Sequence, residues 1–300
     1  MNKTKILFPL MFLAMFLWGT SWPCAKILVE YAPPYIISFW RLFFVSISAL
    51  FIVLVLRLSF KIDKKSIFFA MLTGLCNAIY SLFHFAGLEF GVAGLGGVLV
   101  TTSIPILSFI LMQFLRYKEA KRRGIIIKKP PMNQIFGLCL GVLSGAFLLN
   151  LTNFTELFSR ANIFFLLAAI TWVILSMFSK NVKSHPLLLN FYVSLFSFLF
   201  FSPILFFDGV FFIFEADFRF FMAMFLVAFL STAIGTGIYY YGIKILGVVK
   251  TNAFNLLVPP SALIMSFFML NEIPSISTVF GTVLALFAIY FINIYKKKEK

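Results

Sequence analysis

Apolar residues fall in long, nearly uncharged blocks, separated by short clusters of charge, proline and polar side chains. Cutting the chain at those clusters leaves ten segments, at about 6–26, 35–57, 66–86, 92–115, 132–150, 161–180, 186–207, 219–242, 249–270 and 276–295. A helix needs roughly 20 mostly apolar residues to cross a hydrocarbon layer of about 30 Å, and every segment is near that length. Stretches such as Phe90–Leu115 carry no charge at all. Apolar positions follow one another without alternating, which excludes the strands of a membrane barrel. Ten such helices occupy about two-thirds of the chain. The connections must be short and leave no room for a water-soluble domain. The first segment follows Lys3 and Lys5, but it is longer than a signal core and has no small-x-small end. It is therefore expected to persist as span 1.

Composition narrows the class. Of 300 residues, 62% are hydrophobic and 12% charged, with a mean hydropathy of +1.02. Soluble domains are about half apolar and about a quarter charged. Too few charges are present to coat a water-facing globule. A soluble enzyme, a disordered tail, a secreted disulfide scaffold and an ordinary DNA-binding domain are excluded. Cys24, Cys76 and Cys139 all fall within spans, and an odd number without metal-ligand spacing reads as small packing residues.

The net charge of +15 then becomes a topology signal. Basic residues concentrate in the cytoplasmic loops of membrane proteins. With the N-terminus inside, 21 of the 25 Lys and Arg fall on that side, and Lys26, Arg160 and Arg219 fall outside. Arg41 lies within a span. An even number of spans with both termini cytoplasmic preserves the asymmetry. The basic stretch 116–129 has a second reading, as a docking segment for acidic lipid or nucleic acid. Topology is favoured, and no nucleic-acid partner is expected.

The two halves resemble each other. Trp18 and Lys26 recur as Trp172 and Lys180, 154 positions on. Gly87 and Pro105 recur as Gly242 and Pro260, 155 positions on. Ile135-Phe136-Gly137 recurs as Val279-Phe280-Gly281. The repeat unit holds five spans, so its second copy must start from the opposite side of the bilayer. Inverted repeats of this kind are a recurring plan of secondary transporters. The expected fold is an all-α polytopic membrane protein. Its ten transmembrane helices form two inverted five-helix repeats, 1-152 and 153-300, around a central cavity.

With these features the chain resembles the drug/metabolite transporter superfamily, specifically its EamA-like ten-helix members. The resemblance rests on several short motifs along both halves. They are Leu17-Trp18-Gly19-Thr20-Ser21-Trp22, Trp40-Arg41-Leu42, Pro105, Pro259-Pro260, and Asn271-Glu272 followed by Phe280-Gly281. It implies two five-helix bundles enclosing a cavity lined by helices 1, 3, 4, 6, 8 and 9. It also implies a carrier of metabolites or amino acids in a bacterial cytoplasmic (inner) membrane, often an exporter. Two departures stand out: Tyr117 occupies the half-one position matching Glu272, and the connection after span 4 is long and basic.

Polar side chains inside hydrocarbon face a cavity or another helix. Span 3 carries Asn77, Tyr80, Ser81 and His84 at i, i+3, i+4 and i+7, one helical face. The equivalents in span 8 are Thr232, Gly235, Thr236 and Tyr239. Span 4 offers Thr101, Thr102 and Ser103 before Pro105, and span 9 offers Thr251, Asn252 and Asn255 before Pro259-Pro260. Each proline frees a carbonyl one turn earlier. Trp18, Ser21, Trp172 and Ser176 complete the candidate substrate-binding set. These polar faces serve either a ligand or bonds between helices. Arg41 has two readings, an outward reach to Glu30 or a contact with a substrate carboxylate or phosphate. The peripheral place of helix 2 in similar proteins favours the first. His84 reads as a neutral hydrogen-bonding residue or a proton carrier.

No Asp or Glu sits at the centre of a span, and no phosphate loop, zinc spacing or catalytic triad is present. The chain is therefore expected to be no enzyme and to need no cofactor or metal. The expected partners are a small-molecule substrate and the lipid bilayer, with the chain a monomer or homodimer. The function expected is secondary transport of a small organic metabolite, such as an amino acid, by alternating access. The alternatives are a lipid-linked flippase or scramblase, and a sensor acting through the basic stretch.

Overall fold

A computed structural model describes residues 3–91, 93–124, 130–148, 159–270 and 276–293. Ten helical rods follow in chain order. They are α1 (Lys3–Leu28), α2 (Pro34–Val55), α3 (Lys64–Phe90), α4 (Ala93–Arg123), α5 (Met132–Leu148), α6 (Arg160–Ser179), α7 (Pro186–Phe201), α8 (Phe218–Leu246), α9 (248–270) and α10 (Ile276–Asn293). Among the described residues there is no strand. Seven rods are long and apolar enough to cross a membrane; α5 and α10 hold shorter apolar stretches, and α9 is broken. Asn271-Glu272, Lys128 and Lys129, the lysines at 296–300 and the expected boundary at 152/153 lie outside the described residues.

Helix starts follow local chemistry. Asp63, Ser159 and Asp217 each accept a backbone N–H three residues on, from Ser66 (3.0 Å), Asn162 (3.3 Å) and Phe220 (3.0 Å). Pro34 and Pro186 occupy first turns, where the missing N–H costs nothing. The expected span 7 ends early, at Phe201. Pro203 lacks the N–H that would continue the helix, and 3₁₀ turns at Ser202–Phe206 and Val210–Phe214 lead on to α8.

Two rods are irregular. In α8, Leu226–Thr236 is wound as a π-helix between α-helical ends. In α9, Phe254–Leu257 is a 3₁₀ turn immediately before Pro259-Pro260, which cannot bond back to residues 255 and 256. Pro105 sits within α4 without breaking it. Only Gly247 separates α8 from α9, at φ +82° and ψ 167°, a backbone region essentially restricted to glycine.

The outside of the bundle is apolar. Phe51, Leu54, Ile110, Phe114 and Phe280 are all more than half exposed, as expected of side chains that face lipid. Inside, Phe165 is fully buried, and its ring fills a cradle against Gly87, Gly91 and Gly96. The small residues let α3, α4 and α6 approach closely, as membrane helices do at their interfaces.

Neighbour relations follow a pattern. The rod α1 packs on α8 and α9, as α6 packs on α3 and α4. The rod α2 meets α8, as α7 meets α3. The pairs α2 with α7 and α5 with α10 also touch. Exchanging α1–α5 for α6–α10 leaves this set of contacts unchanged. The two ends of the bundle differ in charge. Arg116, Lys180, Lys244 and Lys250 gather around a vestibule at the basic end. At the other end Lys26 donates to Leu88 O (2.6 Å) and Gly91 O (3.1 Å), and Arg219 pairs with Glu30 (3.1 Å). Arg160 there lies 4.1 Å over the Phe90 ring.

Candidate functional site

A cavity of about 50 Å³ lies among α1, α2, α3, α4, α6, α8 and α9. Its lining includes Trp18, Ser21 and Trp22 of α1, Arg41 of α2, Tyr80 and His84 of α3, and Thr101 of α4. Trp172 of α6, Ser231, Thr232 and Thr236 of α8, and Asn255 of α9 complete the polar and aromatic wall. Such a volume holds a few waters and no metabolite. It contains no carboxylate. Among the described residues no group of His, Cys, Asp or Glu could hold a metal ion.

The chamber is built around aromatic rings. Trp18 meets Trp172 edge to face at 5.1 Å and Tyr239 at 5.0 Å. Tyr80 lies 4.8 Å from Trp172 and stacks with His84 at 5.6 Å; Trp22 meets His84 at 4.6 Å. Such pairs fix ring orientation beyond simple burial. They also present π faces, which attract cationic groups. His84 Nδ1 and Asn255 Oδ1 are buried with no hydrogen-bond partner in the protein, and an unpaired buried polar atom is costly.

The π segment supplies the opposite wall. Side chains from other rods donate to its backbone carbonyls. Trp18 Nε1 donates to Ser231 O (3.1 Å), while Asn190 Nδ2 donates to Thr232 O (3.1 Å) and Ala233 O (3.0 Å). The α4 hydroxyls are satisfied within their own helix: Thr101 donates to Gly97 O (2.6 Å) and Thr102 to Val98 O (2.7 Å).

Between chamber and vestibule stands a closed knot. Trp172 Nε1 donates to Tyr239 Oη (3.0 Å), Ser176 Oγ shares a bond with the same oxygen (2.6 Å), and Tyr239 Oη donates to Asn252 Oδ1. Ser176, Tyr239 and Asn252 are fully buried. The vestibule beyond has a volume of about 510 Å³ and is bordered by Tyr240 and Ser179 together with four cations and no acid.

Eight of the residues expected from sequence to bind substrate meet at the chamber: Trp18, Ser21, Tyr80, His84, Thr101, Trp172, Thr236 and Asn255. Ser176, Tyr239 and Asn252 belong to the knot instead. Asn77 turns away and donates to Ser197 Oγ of α7 (2.9 Å). Arg41, Trp22, Ser231 and Thr232 line the chamber without belonging to that candidate set. Arg41 does not reach Glu30, whose partner is Arg219. It points inward, and is the lone charge at the wall. Its presence in mid-span was the signal, since an ionisable residue within a membrane is by default a functional candidate.

Outside the bundle core, Tyr31 Oη donates to Asp217 Oδ1 (2.6 Å). That bond, with the N–H of Phe220, holds the Asp217 carboxyl below its ordinary range, and the same carboxylate raises Tyr31.

Fold and chamber together define a polytopic helical membrane protein with a small polar pocket among its helices. The sequence matches the profile of the EamA-like transporter family twice, over residues 6–151 and 159–294, and the chain belongs to that family. Its members are transporters and not enzymes. Among curated proteins none matches the chain. A crystal structure of another protein is similar over 97% of this chain and 98% of its own, at 16% identity and a TM-score of 0.68, a likeness of fold.

Proposed function

We propose that the protein is a secondary transporter that moves a small organic metabolite, an amino acid or similar amphipathic solute, by alternating access. On this reading residues 1-152 and 153-300 are inverted five-helix repeats, and the protein sits in a bacterial cytoplasmic membrane. Its basic end and both termini face the cytoplasm, and its direction is export. The observation that carries the reading is the small polar and aromatic chamber, lined by helices from both halves and separated from a wide basic vestibule by the buried knot. A site that opens to either face by turns needs a barrier that can part, and the knot is such a barrier on the vestibule side. The exchange symmetry of helix contacts supports the repeat, because two similar halves can trade conformations. The Trp172–Ser176–Tyr239–Asn252 knot then acts as the cytoplasmic gate, which parts to admit solute from the vestibule.

Metabolites compared inside and outside cells that lack or overproduce the protein should show one solute retained or released with its abundance. Purified protein in liposomes should then move that solute. His84→Ala, Thr236→Val and Asn255→Ala should each lower its transport by roughly tenfold, the worth of about one hydrogen bond to substrate. Transport unchanged in all three variants rejects the chamber as the site.

A further inference from the structure

Arg41 is the one charged side chain in the chamber wall. It is only 8% exposed, and its guanidinium donates from Nη1 to Ser81 Oγ (3.0 Å) and from Nη2 to Thr232 Oγ1 (3.1 Å). Both acceptors are neutral, whereas the group has five donors arranged in a planar fork. Among the described residues the ion pairs are Arg123 with Glu119 and Arg219 with Glu30, and neither involves Arg41. The Phe85 ring, 5.9 Å from the guanidinium carbon, adds a weak cation–π contact. A buried cation without a counter-charge is strongly unfavourable inside a protein, more so within a bilayer. The sequence nonetheless keeps arginine here, beside the unpartnered His84 Nδ1 and Asn255 Oδ1.

From this geometry we infer that Arg41 is the anchor for an anionic group of the transported solute, a carboxylate that the guanidinium receives bidentately. The inference rests on the transport reading and narrows its substrate class to small organic acids, zwitterionic amino acids among them. Ser81 and Thr232 orient the fork from α3 and α8, and the aromatic faces of Trp18 and Trp172 accept the rest of the molecule. The vestibule agrees with this class: Arg116, Lys180, Lys244 and Lys250 border it without an acid, a field that concentrates anions at the mouth.

The test is a melting-midpoint titration of purified protein at constant ionic strength. The probes are acetate, benzoate, L-phenylalanine and L-glutamate, then acetamide, benzamide and L-phenylalaninamide, with chloride as the inorganic anion. At least one acid should raise the midpoint, its matched amide and chloride should not, and Arg41→Gln should abolish the response. Arg41→Lys keeps the charge and loses the fork, so it should weaken the response by roughly tenfold. Equal responses to acid and amide, a response to chloride alone, no response to any acid, or full response in R41Q overturns the anchor. Should R41Q fail to fold, the acid–amide contrast in the native protein and in R41K decides. Counterflow of labelled glutamate and phenylalanine in proteoliposomes separates the two claims. An Arg41-dependent midpoint shift without flux of any solute removes the transport reading and leaves the anion site. Flux of glutamate or phenylalanine that R41Q leaves intact removes the anion site alone.

Discussion

Tyr239 shows how much one oxygen can organise. Its hydroxyl joins α6, α8 and α9 by meeting Trp172, Ser176 and Asn252. Tyr239→Phe removes the oxygen and strands a buried indole N–H and an amide oxygen, at about 1–3 kcal/mol each. The expected result is a thermal midpoint several degrees lower, read by intrinsic fluorescence, together with a leakier chamber. At the far end, Asp217 predicts an acid limb. Its folded-state pKa is depressed, so its contribution is fully present above the unfolded value of about 3.9 and is lost as pH falls through the folded value. A melting series from neutral to below about pH 4 should show that loss, and Asp217→Asn should flatten it. The candidate residues were only partly legible at this scale. Asn77 and His84 share a helical face and a polar character, yet one bonds Ser197 and the other lines the chamber. A hydrogen bond to a neighbouring helix and one to a ligand call for the same side chains, and a single sequence carries no mark that separates them.

The elements were legible where the bilayer dictates them. A crossing demands about 20 apolar residues, so the ten blocks of sequence became ten rods, seven of them long and apolar enough to cross a membrane, with ends shifted by up to eight positions. The windings inside the rods were not legible. The segment Leu226–Thr236 reads as ordinary apolar helix, and the bonds its carbonyls accept from Trp18 and Asn190 come from residues far away in sequence. The orientation of α2 was hidden for a related reason. A guanidinium that reaches the rim and one that reaches a chamber need the same residue in the span, and the peripheral place of helix 2 in similar proteins favours the rim. Two outcomes test these windings. Asn190→Leu removes both side-chain bonds to the segment and should cost about 1–3 kcal/mol. Hydrogen exchange in 226–236 should then quicken more than elsewhere. Gly247→Ala places a methyl group where no atom lies within 4 Å, so any loss comes from the backbone alone. A penalty of about 1–3 kcal/mol is expected at this φ and ψ, checked by the melting midpoint.

Across the whole molecule, charge separates the ends and small residues close the middle. The repeat was visible in sequence through Trp18 and Trp172, and the contacts of α1 with α8 and α9 mirror those of α6 with α3 and α4. Orientation can be tested directly. With Cys24, Cys76 and Cys139 replaced, a cysteine at Val249 should react with an impermeant maleimide from the cytoplasmic side only, and one at Glu30 from the opposite side only. Labelling of both from one side refutes the proposed topology. The short links have a mechanical outcome as well. One residue joins α8 to α9 at the basic end, and two join α3 to α4 at the other. On the transport proposal, each couple works as a pair of tongs riveted at one surface with its jaws at the opposite one. The rivets face opposite ways, so a single sweep of the tongs cannot spread both mouths together.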